Sequence, residues 1–390
     1  MRSRSRPDLV GPQERPADEF LRLACLTWGD DAPGRPLRAA AMVLPPETAD
    51  DVHVAAARCD APALRRLLAA DRDLSGAEGG PFGWAPVLYL AYARHDPAVS
   101  AEAVRAAVEA LLEAGADPDA RFWWDGAEPP FTALTGAFGG GEGDQPPHPR
   151  AEVLARALLE AGADPNDGQV LYNRMFGPDD SHLRLLLAHG LADPELLRQQ
   201  LGWAVVHGMD ARAELLVAHG VDPDTEVGGV YGVPRRAAPL AAAEAGHPAT
   251  AALLHRLGAT SSSTSVVAAV LAGEPVAETE VAAAIRARPG LVAWAAARGD
   301  RAGVRRAAQL GWSVDRRART DVPSDEECET GLHSAAGRGD LATVRLLLDL
   351  GADPTVRDAR FDATPEQWAG HGGHAEVAAV LREGLSGRSG

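Results

Sequence analysis

The sequence predicts an all-α fold, built as an array of stacked helix-turn-helix pairs. One observation is composition: aromatic residues make up 5% of the 390 residues and Ala is abundant, which suits short, closely packed helices better than sheets. A second is a hinge, usually a small residue followed by Asp or His, which recurs about every 35 residues. A third is a helix ending of Gly followed two residues later by Asp-Pro, which turns the chain sharply.

The clearest copy of this pattern is residues 331–354. Its second predicted helix, 341–350, carries an apolar face of Leu and Val at helical spacing. Before that helix, Gly339 can adopt positive φ and end the first helix, and Asp340 is a suitable N-cap for the second. Because one pair cannot bury its apolar faces alone, it needs further copies on either side.

Residues 331–335, Gly-Leu-His-Ser-Ala, resemble most of the T-P-L-H-x-A motif of the ankyrin repeat, with Gly331 where that family usually has Pro. The segment also ends in Gly-Ala-Asp, as ankyrin repeats do. The resemblance indicates a degenerate ankyrin-repeat array of a bacterial type. It implies an all-α ankyrin-repeat solenoid with short hairpin or loop fingers, in which His333 makes a structural hydrogen bond between loops.

Copies of the pattern organise most of the chain. We expect residues 1–16 to be a disordered leader, 17–48 an N-terminal helical cap and 384–390 a flexible tail. Residues 49–383 are predicted to hold about ten repeats, with helix pairs near 49–70, 85–114, 131–161, 168–189, 195–219, 237–257, 264–287, 290–310, 332–350 and 364–383. The copies within 131–200 and 261–290 match the pattern weakly.

Long segments separate some of the helix pairs. Four of them follow one pair and precede the next, and we name them finger 1 (119–130), finger 2 (224–236), finger 3 (315–330) and finger 4 (355–363). A fifth, 139–149, is a glycine-rich insertion within a repeat, which we expect to be flexible. In ankyrin-like arrays the finger tips and first helices line a concave surface that binds partners, and loops carry function more often than scaffolds do.

The fingers supply the candidate partner-binding residues. Finger 1 has three adjacent aromatic residues, a composition typical of binding hot spots; alternatively, these residues pack on a neighbouring finger and stiffen it. Fingers 2 and 4 combine an aromatic residue with Arg. Finger 3 is rich in Arg, which suits an anionic partner unless the four carboxylates within 321–327 neutralise it. The candidates are Phe122, Trp123, Trp124, Tyr231, Arg235, Arg236, Arg316, Arg317, Arg319, Arg357, Arg360 and Phe361.

The sequence contains no recognisable pattern for catalysis or metal binding. All 38 basic residues are Arg, so a P-loop lysine, a Schiff-base lysine and a Ser-Lys dyad are impossible. Motifs such as H-E-x-x-H, G-x-S-x-G and C-x-x-C are missing from the sequence. The Asp-Pro-Asp pairs at 117–119 and 222–224 follow helix pairs, which favours a role in turns. We therefore predict a protein that is not an enzyme, without catalytic residues, metal or cofactor; an enzyme or small-ligand site in the insertions, near His148, is the alternative.

Charge and cysteine content limit the partners. The net charge of −17 argues against binding to nucleic acid, although an acidic decoy for a nucleic-acid-binding protein is a further interpretation. The three scattered cysteines indicate reduced, buried thiols. No apolar run reaches the ~18 residues of a membrane span, and no signal peptide is recognisable. We expect a cytoplasmic monomer, a scaffold that binds a partner protein or peptide through a concave groove and its fingers, without catalysis.

Overall fold

The computed structural model describes residues 14–26, 34–124, 126, 128–229 and 232–386. These residues form a helix-rich fold with 22 α-helices and three small antiparallel sheets of two strands each. The chain divides into two compact units, residues 1–196 and 197–390, and each has its own core. The predicted leader, apart from residues 14–16, and residues 387–390 of the predicted tail lie outside the described residues.

The described part of the first unit contains ten α-helices. They are α1 (Pro16–Ala24), α2 (Arg35–Ala41), α3 (Val52–Ala57), α4 (Ala61–Ala70), α5 (Pro86–Tyr92), α6 (Ala101–Ala114), α7 (Ala133–Phe138), α8 (Ala151–Glu160), α9 (Gly168–Arg174) and α10 (Ser181–Ala188). Two 3₁₀ helices, Pro46–Asp50 and Arg72–Ser75, and a hairpin of β1 (Arg121–Phe122) and β2 (Phe131–Thr132) lie between them. Helices α3, α5, α7 and α9 pack successively in a first row, and α4, α6 and α8 pack in a second row. This packing is that of successive helix pairs laid side by side.

Local chemistry sets the ends of the helices. At α6, the Ser100 side chain accepts a hydrogen bond from the N–H of Ala103 at 3.0 Å, which satisfies one of the free donors of the first turn. The helix ends at Gly115, whose φ of 106° lies in the left-handed region that favours glycine. Between these ends, Val104 and Leu111 are fully buried, so that α6 packs against α4 and α8 through an apolar face.

The N-terminal helix contacts two successive helix pairs. Helix α1 packs on α2 and α3. Beyond its end, the N–H of Leu26 donates to the carbonyl of Tyr92 at 2.7 Å, and the N–H of Arg94 donates to the carbonyl of Ala24 at 2.7 Å. This strand-like pairing joins the residues after α1 to the residues after α5, so the N-terminal segment is fixed at two helix pairs.

The second unit is described from α11, which spans the boundary between the units. Its helices are α11 (Pro194–Val206), α12 (Asp210–Ala218), α13 (Ala238–Glu244), α14 (Pro248–Arg256), α15 (Val266–Ala272), α16 (Glu278–Ala287), α17 (Leu291–Ala297), α18 (Arg301–Gln309), α19 (Gly331–Gly337), α20 (Leu341–Asp349), α21 (Pro365–His371) and α22 (Ala375–Ser386). Two hairpins accompany them: β3 (Glu226–Val227) with β4 (Arg236–Ala237), and β5 (Ala318–Arg319) with β6 (Ser324–Glu329). Helices α17, α19 and α21 pack in a first row, and α18, α20 and α22 pack in a second.

One helix pair of the second unit departs from this order. Helix α15 packs on both α13 and α18. The indole N–H of Trp294, in α17, donates to the carbonyl of Ala245, just after α13, at 3.1 Å. In addition, Nη2 of Arg298 lies 2.5 Å from Nε2 of His247. Helix α17 therefore lies against the end of α13, although α15 and α16 come between them in the sequence. The weak match of 261–290 to the repeat pattern coincides with this irregular pair.

Hydrogen bonds between turns link neighbouring helix pairs. In the turn after α6, the carboxylate of Asp117 accepts the N–H of Asp119 at 2.9 Å, as in other Asx turns. The carboxylate of Asp119 then accepts the N–H of Asp164, in the next such turn, at 2.8 Å. Asp315 accepts the N–H of Asp353 in the same way at 2.9 Å. The regularly placed Asp residues thus serve turns, as the sequence predicts.

Candidate partner-binding surface

Finger 1 is a hairpin whose first aromatic residue is buried. Phe122, in β1, is 8% exposed. Its ring lies 4.5 Å from the ring of Trp84 and 5.6 Å from that of Phe131, and both contacts are stacked. Trp84 stacks in turn on Phe82 at 4.3 Å, in the segment before α5. Phe122 therefore attaches finger 1 to the preceding segment, which is the alternative interpretation of the aromatic cluster.

The other two aromatic residues of finger 1 reach the surface. Trp123 and Trp124 are half-buried. The indole N–H of Trp123 donates to Oε1 of Glu128 at 2.8 Å, and the ring of Trp124 lies 6.4 Å from the ring of Phe131. Each indole is therefore held in place while part of it faces solvent, an arrangement that suits a binding anchor.

Finger 2 places its two arginines differently. Arg235 is exposed, whereas Arg236 is half-buried. Nε of Arg236, in β4, lies 3.5 Å from Oε2 of Glu244, in α13. Tyr231, the third candidate of this finger, lies outside the described residues. Of the two described candidates, Arg235 is the more accessible to a partner.

The arginines of finger 3 pair with carboxylates of the same finger. Nη1 of Arg316 and Nη2 of Arg317 lie 3.0 and 3.2 Å from the carboxylate oxygens of Glu327. Arg319 binds both oxygens of Asp321, at 2.6 and 2.8 Å, and these hydrogen bonds raise the pKa of Arg319 above its usual value. Exposed ion pairs add little to stability, but they neutralise the finger. The geometry corresponds to the alternative interpretation, in which the nearby carboxylates neutralise these arginines.

Finger 4 exposes a phenylalanine on a rigid loop. Phe361 is 71% exposed, and its ring lies 6.2 Å from that of Trp368 in α21. Beneath it, the carboxylate of Asp358 accepts the N–H groups of Arg360 and Phe361 at 2.8 and 2.7 Å, and the indole N–H of Trp368 at 3.0 Å. Burial alone would raise the pKa of Asp358, but the hydrogen bonds lower it below its usual value. The charged carboxylate therefore keeps the loop closed and Phe361 in position.

Two arginines accompany Phe361 in finger 4. Nη1 of Arg357 lies 3.5 Å from Oδ2 of Asp362 in an exposed ion pair. Burial is the largest single effect on the pKa of Arg360 and lowers it, but Cys328, Glu329 and Asp321 together outweigh burial and the pKa is raised. Finger 4 thus brings its three candidates together in one loop.

The insertion 139–149 is tied to the helices of the first unit. The N–H of Gly141 donates to the carbonyl of Asn173 at 2.7 Å, and the N–H of His148 donates to the carbonyl of Ala137 at 2.9 Å. The glycines of this insertion indicate flexibility when the sequence is considered alone. In the structure, contacts with α7 and α9 fix the insertion at both ends.

His148 lacks the surroundings of a catalytic base. It is 3% exposed, and its Nδ1 accepts the N–H of Arg150 at 3.1 Å. Burial, together with nearby Arg94, lowers the pKa of His148 to about 3. Among the described residues, no group of three or more His, Cys, Asp or Glu side chains is arranged to hold a metal ion. The geometry around His148 therefore gives the alternative of an enzyme site no support.

Acidification should destabilise the first unit through its buried histidines. Burial lowers the pKa of His95 to about 4 and that of His148 to about 3, whereas both rise to about 6.5 on unfolding. The folded state then binds fewer protons, so stability is lost as the pH falls below about 6.5, by about 2 kcal/mol for each histidine at pH 5. Burial raises the pKa of Asp167 to about 6. Because Asp167 therefore takes up a proton in the folded state as the pH falls, it adds about 1 kcal/mol of stability over the same interval.

Urea unfolding at pH 7 and pH 5 measures this effect, and the net loss should be about 2 kcal/mol. His148→Asn should remove about half of the histidine contribution. Equal stability of the wild type at the two pH values would contradict the assignment.

Two side chains that position the candidates were not predicted from the sequence. Trp84 supports Phe122, and Asp358 holds the loop that carries Phe361. A sequence signal exists for each. Trp84 belongs to an aromatic pair shortly before a first-row helix, and Asp358 precedes Arg360 by two residues, the spacing of an Asx turn.

The fold and the candidate surface define a class of protein. The helices are packed in pairs, a packing compatible with an all-α repeat fold, and partly exposed aromatic residues lie in the loops between the pairs. Among the described helices, none has both the length and the apolar character that crossing a membrane requires. These features are those of a helix-rich protein whose loops carry partly exposed aromatic residues.

Residues 328–359 match the family model of the ankyrin repeat. The match covers the end of β6, α19, α20 and the first part of finger 4. Residues 328–359 are thus an ankyrin repeat, and the ankyrin repeat is a general protein–protein interaction module, typically a non-catalytic scaffold. No curated protein sequence matches the chain.

His333, in the matched segment, makes the loop hydrogen bond that the resemblance implies. Nε2–H of His333 donates to the carbonyl of Ala363 at 3.0 Å, and Nδ1 lies 2.8 Å from Oγ1 of Thr330. The imidazole therefore connects the start of α19 to the end of finger 4. Its role is structural, and Phe361 of the same finger stays exposed.

Proposed function

We propose that the chain is a protein–protein interaction scaffold. Its helix pairs form a degenerate ankyrin-repeat solenoid of about ten repeats, whose concave groove and finger tips bind a partner protein or peptide without catalysis. The observation that carries this proposal is Phe361, a large apolar side chain that is 71% exposed on a loop held closed by a buried carboxylate. Trp123 and Trp124 form a second anchor in finger 1.

Preorganisation supports this role for the fingers. The Asp358 carboxylate accepts four hydrogen bonds, three from its own loop and one from α21, and Glu128 holds the indole of Trp123. A partner therefore need not order these segments on binding, which lowers the entropic cost of association. Rigid aromatic side chains of this kind dominate binding energy at many interfaces.

Quantitative affinity capture tests the proposal. Wild type, Phe361→Ala and the double variant Trp123→Ala/Trp124→Ala are immobilised, and captured proteins are compared by mass spectrometry. Truncation of a hot spot costs ~2 kcal/mol or more, so each finger variant should bind at least one partner roughly 30-fold more weakly.

Leu37→Ala provides the matched control, because Leu37 is 73% exposed but lies in α2, outside the fingers. It should retain every partner. Circular dichroism checks that all variants are folded. If both finger variants captured the same partners as wild type with unchanged affinity, the fingers would not be the binding surface.

The location that we propose is the cytoplasm, and the proposed state is a monomer. Cys25, Cys59 and Cys328 are all free and buried, which is compatible with a reducing compartment. The acidic chain, with a net charge of −17, favours a partner that is not a nucleic acid.

A further inference from the structure

Arg288 is buried just before α17, with part of its guanidinium unpaired. The residue is 6% exposed. In the part of the chain that the structure describes, its Nε and Nη2 have no hydrogen-bond acceptor. Buried polar groups in proteins are nearly always hydrogen-bonded, and a charged donor without an acceptor is especially unfavourable. Such a group therefore requires an explanation.

The two atoms form one edge of the guanidinium. Their N–H bonds point in the same direction and match the two oxygens of a carboxylate. In this chain the same edge of other arginines binds carboxylates. Arg15 contacts the two oxygens of Asp18 at 2.7 Å each, and Arg319 contacts those of Asp321 at 2.6 and 2.8 Å. The unpaired edge of Arg288 is thus suited to a carboxylate.

The neighbouring carboxylates bind other groups. Asp325 and Glu244 raise the pKa of Arg288, although burial is the larger effect and lowers it overall. Oδ1 of Asp325 accepts the N–H of Gly290 at 3.0 Å, and Oε2 of Glu244 lies 3.5 Å from Nε of Arg236. Both carboxylates balance the charge of Arg288 at a distance without contacting its free edge.

The position of Arg288 in the sequence corresponds to the point where a finger enters a first-row helix. Arg288 precedes the hinge residue Gly299 by the same number of residues as Cys328 precedes Gly339. Cys328 lies in β6, where finger 3 enters the first-row helix α19. Arg288 lies at the corresponding entry to α17, 5.6 Å from the ring centroid of Trp294. In the proposed solenoid, this junction faces the concave groove.

We propose that Arg288 anchors a carboxylate-binding site and that the bound partner supplies the carboxylate, from an acidic side chain or from its C-terminus. This inference rests on the proposed binding function and specifies what the partner presents. The two free N–H groups bind the two oxygens. Asp325, Glu244 and Arg236 are half-buried around the guanidinium, so a ligand displaces them to reach it. The two acidic neighbours, Asp325 and Glu244, repel other anions. They therefore favour a ligand whose two oxygens both accept hydrogen bonds from the free edge of Arg288.

Titration of the whole chain, without a partner, tests the site. The probes are acetyl-glycyl-aspartate amide, with a side-chain carboxylate, and acetyl-glycyl-glycine, with a terminal one; acetyl-glycyl-asparagine amide is the uncharged control. Binding is followed by tryptophan fluorescence and calorimetry. We expect saturable binding of at least one carboxylate probe and none of the control. The better probe identifies the source of the carboxylate.

Variants of Arg288 distinguish binding by its two free N–H groups from attraction by its charge alone. Arg288→Gln and Arg288→Lys should each weaken binding at least tenfold, because lysine keeps the charge but lacks the paired N–H groups. Arg256→Gln, at an exposed position of α14 outside the fingers, should leave binding unchanged, and Asp325→Asn should strengthen it at least twofold.

The absence of saturable binding to wild type would overturn the inference, as would unchanged binding by folded Arg288→Gln. Either result would mean that internal water alone satisfies Arg288. Because no partner takes part in the titration, such a failure is distinct from a failure of the finger variants in affinity capture.

Discussion

Substitution of Arg94 by Met should lower the free energy of unfolding of the first unit by about 3–5 kcal/mol. Arg94 is 8% exposed, and its guanidinium donates to four backbone carbonyl groups rather than to a carboxylate. The acceptors are the carbonyls of Ala91, Ala93, Gly136 and Pro146, at 3.0, 2.9, 2.5 and 2.9 Å. Methionine fills similar space but leaves these buried carbonyls without donors.

Urea unfolding followed by circular dichroism measures the loss. Arg105→Met is the matched control, because Arg105 is exposed on α6 in the same unit; its effect should stay within about 0.5 kcal/mol. A loss of less than about 1 kcal/mol for Arg94→Met would show that water replaces the guanidinium. The role of Arg94 in joining α5, α7 and the insertion would then be wrong.

Substitution of Trp294 by Ala should destabilise the second unit by about 4 kcal/mol. The indole is 2% exposed, its N–H donates to the carbonyl of Ala245 at 3.1 Å, and the guanidinium of Arg298 lies 5.0 Å from its centroid. The substitution leaves a large cavity and an unpaired carbonyl where α17 meets α13. It also removes a cation–π contact.

Trp294→Phe separates these contributions. It keeps most of the buried ring but loses the N–H, so it should cost about 1–2 kcal/mol. Denaturant unfolding of the second unit provides the comparison. Equal losses for the two variants would mean that the hydrogen bond, rather than the packing, fastens α17 to α13.

Interactions between residues close in sequence were predictable. Gly339 has a φ of 70°, and the side chain of Asp340 accepts the N–H of Thr343 at 3.0 Å, as the hinge pattern predicts. The pairing of Arg319 with Asp321 was one of the two interpretations of finger 3, because these residues are only two positions apart. In each case the sequence presents both partners within one turn, so local geometry determines the contact.

Contacts between distant segments were not predictable. Phe122 is buried because Trp84, from the preceding segment, covers it. Arg94 follows a short apolar helix, where an arginine normally reaches solvent, yet its acceptor Pro146 is 52 residues away. The sequence identifies the fingers as candidate sites, but which of their side chains remain accessible depends on packing between segments.

The hydrogen bonds from turn to turn, such as Asp119 to Asp164 and Asp315 to Asp353, have a mechanical consequence. Each joins one helix pair to the next, so a load on one pair passes first to its neighbour. In the proposed solenoid, whose pairs are held by nearest-neighbour interfaces, tension would detach the pairs one after another from an end. A solenoid of this kind would lengthen in small steps, and the pairs that remain stacked would keep their fingers in place.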